Sequence, residues 1–197
     1  ASSVLDNIIV LDLTRVRSGP TATRQLGDWG ANVIKIEPPD ALEPQRIGTA
    51  RVGQFFFFNR NKRSVVLDLK DADDLAVLRR MIDAADMVVE NFRAGTMERL
   101  GIGYDSLRQS NPALIYCSVT GYGSASEAAH RPAVDPVIQA LSGIMQLTGS
   151  AESGPLKTGF PLGDYVAPLF ATIGALSALR ERDRTGIGQR VDISMFE

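Results

Sequence analysis

Six short runs rich in β-branched and other apolar residues divide this chain, and helical patterns fill most of the intervals between them. Strands that alternate with helices favour a parallel sheet, because each crossover helix carries the chain back to the starting edge. The sequence therefore predicts an α/β fold, with a mostly parallel sheet and helices on both faces. The predicted strands are NIIVLDLT (7–14), NVIKIE (32–37), RSVVLDL (63–69), DMVVENF (86–92), ALIYCSVTGY (113–122) and GQRVDISMF (188–196).

The first predicted helix begins at Ser18, because a serine followed by a proline close behind is typical of a helix start. Residues 40–60 are predicted to be a long irregular connection, in which the aromatic run FFFF (55–58) is buried. The other predicted helices cover 71–85, 135–149 and 164–184, with short helices around Met97 and Leu107.

Composition excludes several classes of protein. A formal net charge of −2 without a long basic run gives no electrostatic reason to expect nucleic acid or an anionic membrane as a partner. A single cysteine, Cys117, excludes an intrachain disulfide or a cysteine-based zinc site, and no metal site is expected. The single His130 leaves little room for a Ser-His-Asp triad. The N-terminal residues do not resemble a signal peptide, so a soluble cytoplasmic protein is expected.

Nucleotide and hydrolase motifs are also missing. The segment GIGYDS (101–106) has two of the three glycines of a dinucleotide-binding fingerprint, but Ser106 stands at the third position and no strand precedes the segment. No P-loop, G-x-S-x-G elbow or H-E-x-x-H sequence occurs.

Asp164 is the only charged residue between Lys157 and Arg180, and it precedes the uncharged stretch 165–179. This stretch contains a proline and a glycine and is shorter than a membrane span, so it is predicted to be a core helix. Apolar residues at 166, 169, 170, 173, 176 and 179 define one helical face. Two roles are open for Asp164 from the pattern alone: a helix N-cap, or a carboxylate that reacts in a dry environment.

Six blocks of sequence carry a family resemblance: LDLTRVRSGP (11–20), GANVIKIE (30–37), NKRSVVLDLK (61–70), VVENFRAGTMERLGIGY (88–104), PLGDYVAPLF (161–170) and TGIGQRVDISMFE (185–197). In this order they resemble the N-terminal half of class III CoA-transferases, the CaiB/BaiF family. The resemblance implies that residues 1–197 are the CoA-binding and catalytic part of a Rossmann-like large domain, with the second, small domain absent from this chain. It also implies an interlocked homodimer, and CoA transfer from an acyl-CoA to a carboxylic acid without a permanently bound cofactor.

The resemblance assigns site residues one by one. It makes Asp164 the catalytic carboxylate, which would form an aspartyl anhydride and then an aspartyl-CoA thioester. It places CoA contacts at Arg17, Ser18, Leu67, Lys70, Asn91, Phe92, Arg93 and Arg99. Arg17 departs from the oxalate-specific branch, which has glutamine there, and is interpreted either as a ligand for a second carboxylate of the acceptor or for a CoA phosphate.

Two alternatives to a CoA-transferase remain open at this point. One is a 2-methylacyl-CoA racemase of the same superfamily, although Val134 replaces the histidine of that branch and an apolar side chain cannot transfer a proton. The other is a non-catalytic CoA-binding half-enzyme subunit. Residues 1–197 alone are expected to be poorly soluble or inactive, with the apolar face of 166–179 partly uncovered.

Overall fold

The computed structural model describes residues 2–39 and 49–197, with side chains from residue 53 onward in the second range. Its six strands form one sheet, and all pairings in that sheet are parallel. The strands are β1 (Ile9–Asp12), β2 (Asn32–Glu37), β3 (Lys62–Val66), β4 (Met87–Glu90), β5 (Ile115–Thr120) and β6 (Arg190–Ser194). The predicted α/β class and all six predicted strands are confirmed; β2 has the predicted bounds, and each of the other strands is shorter than the run that predicted it.

The strand order is β3-β2-β1-β4-β5-β6, so the direction in which strands are added reverses between β1 and β4. In open parallel sheets, ligands bind outside the carboxyl ends of the strands at such a reversal, where the two flanking loops diverge. The order is that of a Rossmann-like sheet. The segments that follow Asp12 in β1 and Glu90 in β4 are therefore the first place to look for a site.

Helices cover both faces, as predicted, and alternate side chains of each strand belong to different layers. Val10 of β1 packs in a cluster with α1 (Ser18–Asp28) and α8 (Leu162–Thr185). The next residue, Leu11, packs in a second cluster with α3 (Ala72–Asp83), α4 (Thr96–Arg99) and α5 (Tyr104–Ser110). This two-sided burial explains why the central strands are apolar at nearly every position.

The prediction of an irregular connection over 40–60 is wrong for its second part, because α2 runs from Thr49 to Asn59; residues 40–48 lie outside the described range. The predicted burial of the aromatic run is also largely wrong. Phe58 is buried, whereas Phe56 and Phe57 are exposed. Four consecutive helical positions point around the helix axis, so one face of α2 cannot bury them all.

The helix predicted over 135–149 is divided into α6 (Asp135–Leu141) and α7 (Ile144–Thr148). Gly143 between them has a φ of 80°, a left-handed conformation that glycine adopts without the steric cost of a side chain. Apolar residues recur at helical spacing on both sides of Gly143, so the sequence pattern predicted one continuous helix.

The apolar stretch after Asp164 forms α8, as predicted. The face defined by its bulky apolar residues is partly uncovered, as expected, because only Leu176 and Leu179 at its C-terminal end pack into the core. Alanines pack against the sheet and α1, whereas bulky apolar side chains on the other side are exposed. Small side chains let α8 approach α1 and the sheet closely. By length and composition alone α8 could cross a membrane, but that is weak evidence because one side of it packs into the core. The buried alanines are Ala167, Ala171, Ala175 and Ala178, and the exposed residues are Val166, Leu169, Phe170 and Ile173.

Candidate active site

The fold brings most of the predicted site residues to the carboxyl edge of the sheet. Because all strands are parallel, the segments after β1, β3 and β4 emerge at the same edge. Arg17 and Ser18 follow β1, at the start of α1. The residues that follow the other two strands are Leu67 and Lys70 after β3, and Asn91, Phe92 and Arg93 after β4, with Arg99 at the end of α4.

The two loops at the reversal are joined by hydrogen bonds. The Arg15 backbone N–H donates to Asn91 Oδ1 over 2.7 Å, and Asn91 Nδ2 donates to the Arg15 carbonyl oxygen over 2.9 Å. Asn91, predicted to contact CoA, therefore clamps the β1–α1 loop. Val16, the next residue, has a φ of 66° and an exposed side chain. A β-branched residue in this region costs about 1–3 kcal/mol, so the surrounding contacts must hold the turn.

Asp164 lies in the first turn of α8, which begins at Leu162 and has Pro161 at its N-cap. The cap interpretation of Asp164 is therefore wrong. The carboxylate that satisfies the helix N-terminus belongs to Asp135: its Oδ1 accepts from the Gly163 N–H at 2.7 Å, with the Asp164 N–H at 3.4 Å. The Asp164 side chain is left free of a structural role at the helix end.

Asp135 is the residue of this candidate site that sequence reasoning missed. It is buried, and its Oδ2 accepts from Gln139 Nε2 over 2.7 Å. Gln139 is also buried, and its Oε1 accepts from the backbone N–H and hydroxyl of Thr158, on the segment leading into α8. Asp135 followed by a proline at the start of a helix was a visible signal of a helix start. Nothing in the local pattern indicated that this carboxylate would bind a different helix.

Among the described side chains, Arg17 is the cation that forms an ion pair with Asp164. Its Nη1 lies 3.8 Å from Asp164 Oδ2, which is an ion-pair distance but too long for a hydrogen bond. The guanidinium also lies over the Phe58 ring, 5.7 Å from its centroid. Within residues 2–39 and 49–197, the Arg17 guanidinium donates no hydrogen bond and the Asp164 carboxylate accepts none. Both groups thus retain hydrogen-bonding capacity for a ligand between or beside them.

Burial raises the pKa of the Asp164 carboxyl above its ordinary value, and the negative charge of Asp135 raises it further. The Arg17 guanidinium acts in the opposite direction and lowers the Asp164 pKa. A carboxylate that is only partly compensated in a desolvated place is a stronger nucleophile than one solvated by water or by several hydrogen bonds.

The other residues predicted to contact CoA differ in charge and in exposure. Lys70, Arg93 and Arg99 are exposed cations along the edge, suited to the phosphates of CoA. Among the described residues no ion pair joins any of these three to Asp164. Leu67 is buried in the core and Phe92 lies under the Arg15 guanidinium, 5.3 Å from the ring centroid. The Ser18 hydroxyl is buried and has no hydrogen-bond partner in the described part of the chain.

A polar cavity of about 230 Å³ opens at the ends of β4 and β5 beside Arg93. Burial raises the pKa of Glu90, one of its wall residues, although the Ser118 side chain and the Phe92 backbone N–H bind its carboxylate. The wall carries both signs of charge, with Glu90, Glu98, Arg93 and Arg190. No cluster of metal-binding side chains occurs in the described ranges.

The family of this chain follows from comparison with known proteins. The model of CoA-transferase family III matches residues 5–197, which is nearly the whole chain. The chain belongs to CoA-transferase family III. The fold predicted from the resemblance is thereby confirmed, and Asp164 lies within the matched residues.

Relatives with assigned activities are similar along the same stretch. The chain is 45% identical to the acetyl-CoA:oxalate CoA-transferase of Acetobacter aceti, covering 98% of this chain and 51% of that protein. It is 41% identical to the succinyl-CoA:mesaconate CoA-transferase of Haloarcula hispanica, with 98% and 52% covered. It is 36% identical to the succinyl-CoA:glutarate CoA-transferase of Mus musculus, with 98% and 45% covered. The chain spans about half the length of these family III relatives.

Solved structures agree with the fold. A CaiB/BaiF family protein from Brucella suis superposes with a TM-score of 0.93 at 37% identity, covering all of this chain and 54% of that one. Rv3272 from Mycobacterium tuberculosis gives a TM-score of 0.90 at 37% identity, with 98% and 55% covered. The family III fold of residues 1–197 is thus shared over about half of each of these longer chains.

Proposed function

We propose that the full-length protein transfers CoA from an acyl-CoA thioester to a carboxylic acid, with Asp164 as the nucleophile. The observation that carries this proposal is the Asp164 carboxylate, which accepts no hydrogen bond from the described residues and faces Arg17 at the carboxyl edge of the sheet. The named activities of the relatives support CoA transfer as the reaction class.

The proposed reaction proceeds through three covalent intermediates of two kinds, an aspartyl anhydride and an aspartyl-CoA thioester. The Asp164 carboxylate attacks the donor thioester carbonyl, which forms a mixed anhydride and releases the CoA thiolate. The thiolate attacks the aspartyl carbonyl, giving an aspartyl-CoA thioester and the free donor acid. The acceptor carboxylate attacks this thioester, forms a second anhydride and releases CoA thiolate again. Attack of the thiolate on the acceptor carbonyl gives the new acyl-CoA and restores Asp164.

Each residue has a defined part in this scheme. Asp135 holds the N-terminus of α8, so Asp164 does not have to cap the helix. The negative charge of Asp135 raises the Asp164 pKa, so the ionised form of Asp164 is less stabilised and remains reactive. Ser18, Leu67, Lys70, Asn91, Phe92, Arg93 and Arg99 remain the proposed CoA contacts.

We further propose that the acceptor is a dicarboxylic acid whose non-reacting carboxylate binds Arg17. The guanidinium has a planar set of donors that matches a carboxylate in two parallel hydrogen bonds. It lies beside the nucleophile and donates no hydrogen bond within the described ranges. The acids named for the relatives, among them oxalate, mesaconate and glutarate, all carry two carboxylates.

The homodimer and the cytoplasmic location are part of the same proposal. The exposed bulky residues of α8 support a partner surface, because isolated soluble domains seldom leave several neighbouring large apolar side chains uncovered. Light scattering on the full-length protein tests the dimer, and a monomer at micromolar concentration would contradict it.

The nucleophile can be identified by trapping. Full-length enzyme is incubated with acetyl-CoA, treated with hydroxylamine, and digested with trypsin. Cleavage after Lys157 and Arg180 releases residues 158–180, in which Asp164 is the only carboxylic side chain. A hydroxamate on this peptide therefore identifies Asp164 without fragmentation.

Asp135 falls in a different tryptic peptide and serves as an internal control. Asp164→Asn should yield no hydroxamate. A modified Asp135 peptide, or an unmodified 158–180 peptide during active turnover, would contradict the proposal.

A racemase would instead exchange the α-proton of a 2-methylacyl-CoA in deuterated water. The exposed valine side chain at position 134 offers no base for that exchange.

A further inference from the structure

The loop that carries Arg17 is strained in its middle and held from several sides. Val16, immediately before Arg17, has a φ of 66°. Such a conformation in a β-branched residue persists only where neighbouring contacts determine it. Asn91 fixes the backbone of Arg15 on one side of Val16, and the Arg17 carbonyl oxygen accepts from Thr21 on the other.

The third attachment of the loop is to the side chain of Asp12, the last residue of β1. This carboxylate is fully buried and accepts from the backbone N–H of Thr14 at 2.9 Å and from its hydroxyl at 2.5 Å. It also accepts from the Thr23 hydroxyl at 2.8 Å, on α1. The start of the loop and the helix that follows it are therefore fastened to the same carboxylate.

Lys62 supplies the counter-charge of Asp12. Its Nζ lies 2.7 Å from Asp12 Oδ2, and its side chain is 2% exposed. The same ammonium donates to the Pro20 carbonyl oxygen at 3.0 Å and to Asn59 Oδ1 at 2.9 Å. All three donors of the ammonium are used, two of them on the β1–α1 segment. Lys35 lies farther from Asp12, at 3.8 Å, and donates to the Thr14 carbonyl oxygen.

We propose that Lys62 is a positioning residue: through Asp12 it fixes the turn from Thr14 to Arg17 and so sets the place of the Arg17 guanidinium beside Asp164. Lys62 is fifty residues from Asp12 in sequence, and its ammonium bonds to Asp12, Pro20 and Asn59 rather than to Arg17 or Asp164. It acts on the site only through the backbone it holds. The kinetic consequence of this inference rests on the proposed CoA transfer, whereas the structural consequence does not.

The structural consequence is measured by amide hydrogen exchange of residues 13–18 with mass spectrometry. Lys62→Met keeps a long unbranched side chain and removes the ammonium. It should accelerate exchange in this segment by about tenfold or more, because local opening becomes easier where contacts are lost. The matched control is Arg60→Met, which removes a surface ion pair with Asp28 on the neighbouring segment. The control should leave exchange of residues 13–18 unchanged.

The kinetic consequence is measured on full-length enzyme with acetyl-CoA as donor and succinate as acceptor. Lys62→Met should lower kcat/KM for succinate about 10- to 100-fold, mainly through KM, because a displacement near 1 Å in a binding group has effects of this size. The KM for acetyl-CoA should change little. In an Arg17→Met background the same change should cost less than about threefold, since residues that act through one another are not additive.

A merely structural role gives a different pattern. Multiplicative losses in the double variant, or equal losses of kcat with both substrates, would overturn the inference. If Lys62→Met does not fold, Thr14→Val removes one donor to Asp12 while the Lys62 contact stays, and the same two readouts should change in the same direction by less.

Failure of the proposed function is distinguishable from failure of this inference. Accelerated exchange in Lys62→Met without any transferase turnover in the wild type contradicts the function and supports the positioning role. Normal turnover in the wild type with unchanged exchange in Lys62→Met overturns the positioning role alone.

Discussion

The ion pair between Asp12 and Lys62 and the ion pair between Asp164 and Arg17 lie at opposite ends of the β1–α1 loop. They differ in how many hydrogen bonds each carboxylate accepts. Asp12 is fully buried and accepts from Lys62 and from the hydroxyls of Thr14 and Thr23. Asp164 is partly buried and meets Arg17 at 3.8 Å without a hydrogen bond. The two pairs are joined by the segment from Asp12 to Arg17.

The contrast separates a structural charge from a reactive one. The lysines around Asp12, together with its hydrogen bonds, hold its carboxyl pKa well below the usual range despite complete burial. The Asp164 pKa moves the other way, because burial and Asp135 outweigh Arg17. A saturated carboxylate has no lone pairs to offer, whereas an undersatisfied one can attack a carbonyl or be released from its ion partner.

The largest difference between the pairs should appear when each aspartate becomes asparagine. Asp164→Asn should lower turnover roughly a thousandfold or more, because an amide cannot form the anhydride. Its urea unfolding midpoint should stay the same or rise slightly. The raised Asp164 pKa means that stability from this group is present below its ordinary pKa and lost as pH rises through the folded value. Near-normal turnover of Asp164→Asn would show that Asp164 is not a reactive carboxylate, and it would then not differ from Asp12 in this respect.

Asp12→Asn should be the opposite case, with stability as the main effect. Removal of the carboxylate leaves Lys62 buried without its closest counter-charge, which costs about 3–5 kcal/mol in comparable buried pairs. Urea denaturation of Asp12→Asn, compared with Arg60→Met at the exposed Asp28 pair, measures this loss. The exposed pair should contribute far less, because solvent screens its charges. Equal midpoints for the two variants would show that the buried pair is not a structural charge.

Arg17 should affect selectivity more than stability. Arg17→Met should lower kcat/KM for succinate about 10- to 100-fold, the scale of one lost charge-assisted contact, and affect butyrate far less. Arg17→Lys should recover part of the loss, because it restores the charge without the two parallel hydrogen bonds. Steady-state kinetics with both acids and a constant acetyl-CoA concentration provide the measurement. An equal loss for succinate and butyrate would assign Arg17 to CoA or to Asp164 alone.

The smallest effect should be a shift in the pH profile. The acid limb of kcat/KM reports the ionisation of Asp164 in the free enzyme, so activity should rise as pH increases through its pKa. Removing Arg17 takes away the charge that lowers the Asp164 pKa, and Arg17→Met should move the limb to higher pH. Asp135→Asn should move it to lower pH, because it removes the charge that raises that pKa. Shifts in the same direction for both variants would contradict this electrostatic account.

Local patterns in the sequence were sufficient for the architecture and for singling out Asp164, whereas its proposed catalytic role came from the family resemblance. The strands are buried on both faces, so they appear as nearly continuous apolar runs, and the sheet class follows from their alternation with helices. Ser18 and Asp164 were identified because helix starts and lone charges in apolar surroundings are local features. The role of Asp164 in catalysis remains a prediction, as do the CoA contacts.

Only the tertiary structure decided which charged side chains have hydrogen-bond or ion-pair partners, and which residues those partners are. Asp135 binds the start of α8 from 28 residues away, and Lys62 reaches Asp12 across 50 residues. No periodicity records such partners. The same holds for α8, because the apolar pattern did not indicate that its alanines would pack against the sheet. A sequence states how apolar or charged each position is, but the neighbour that covers or pairs with it is set by the packing of distant segments.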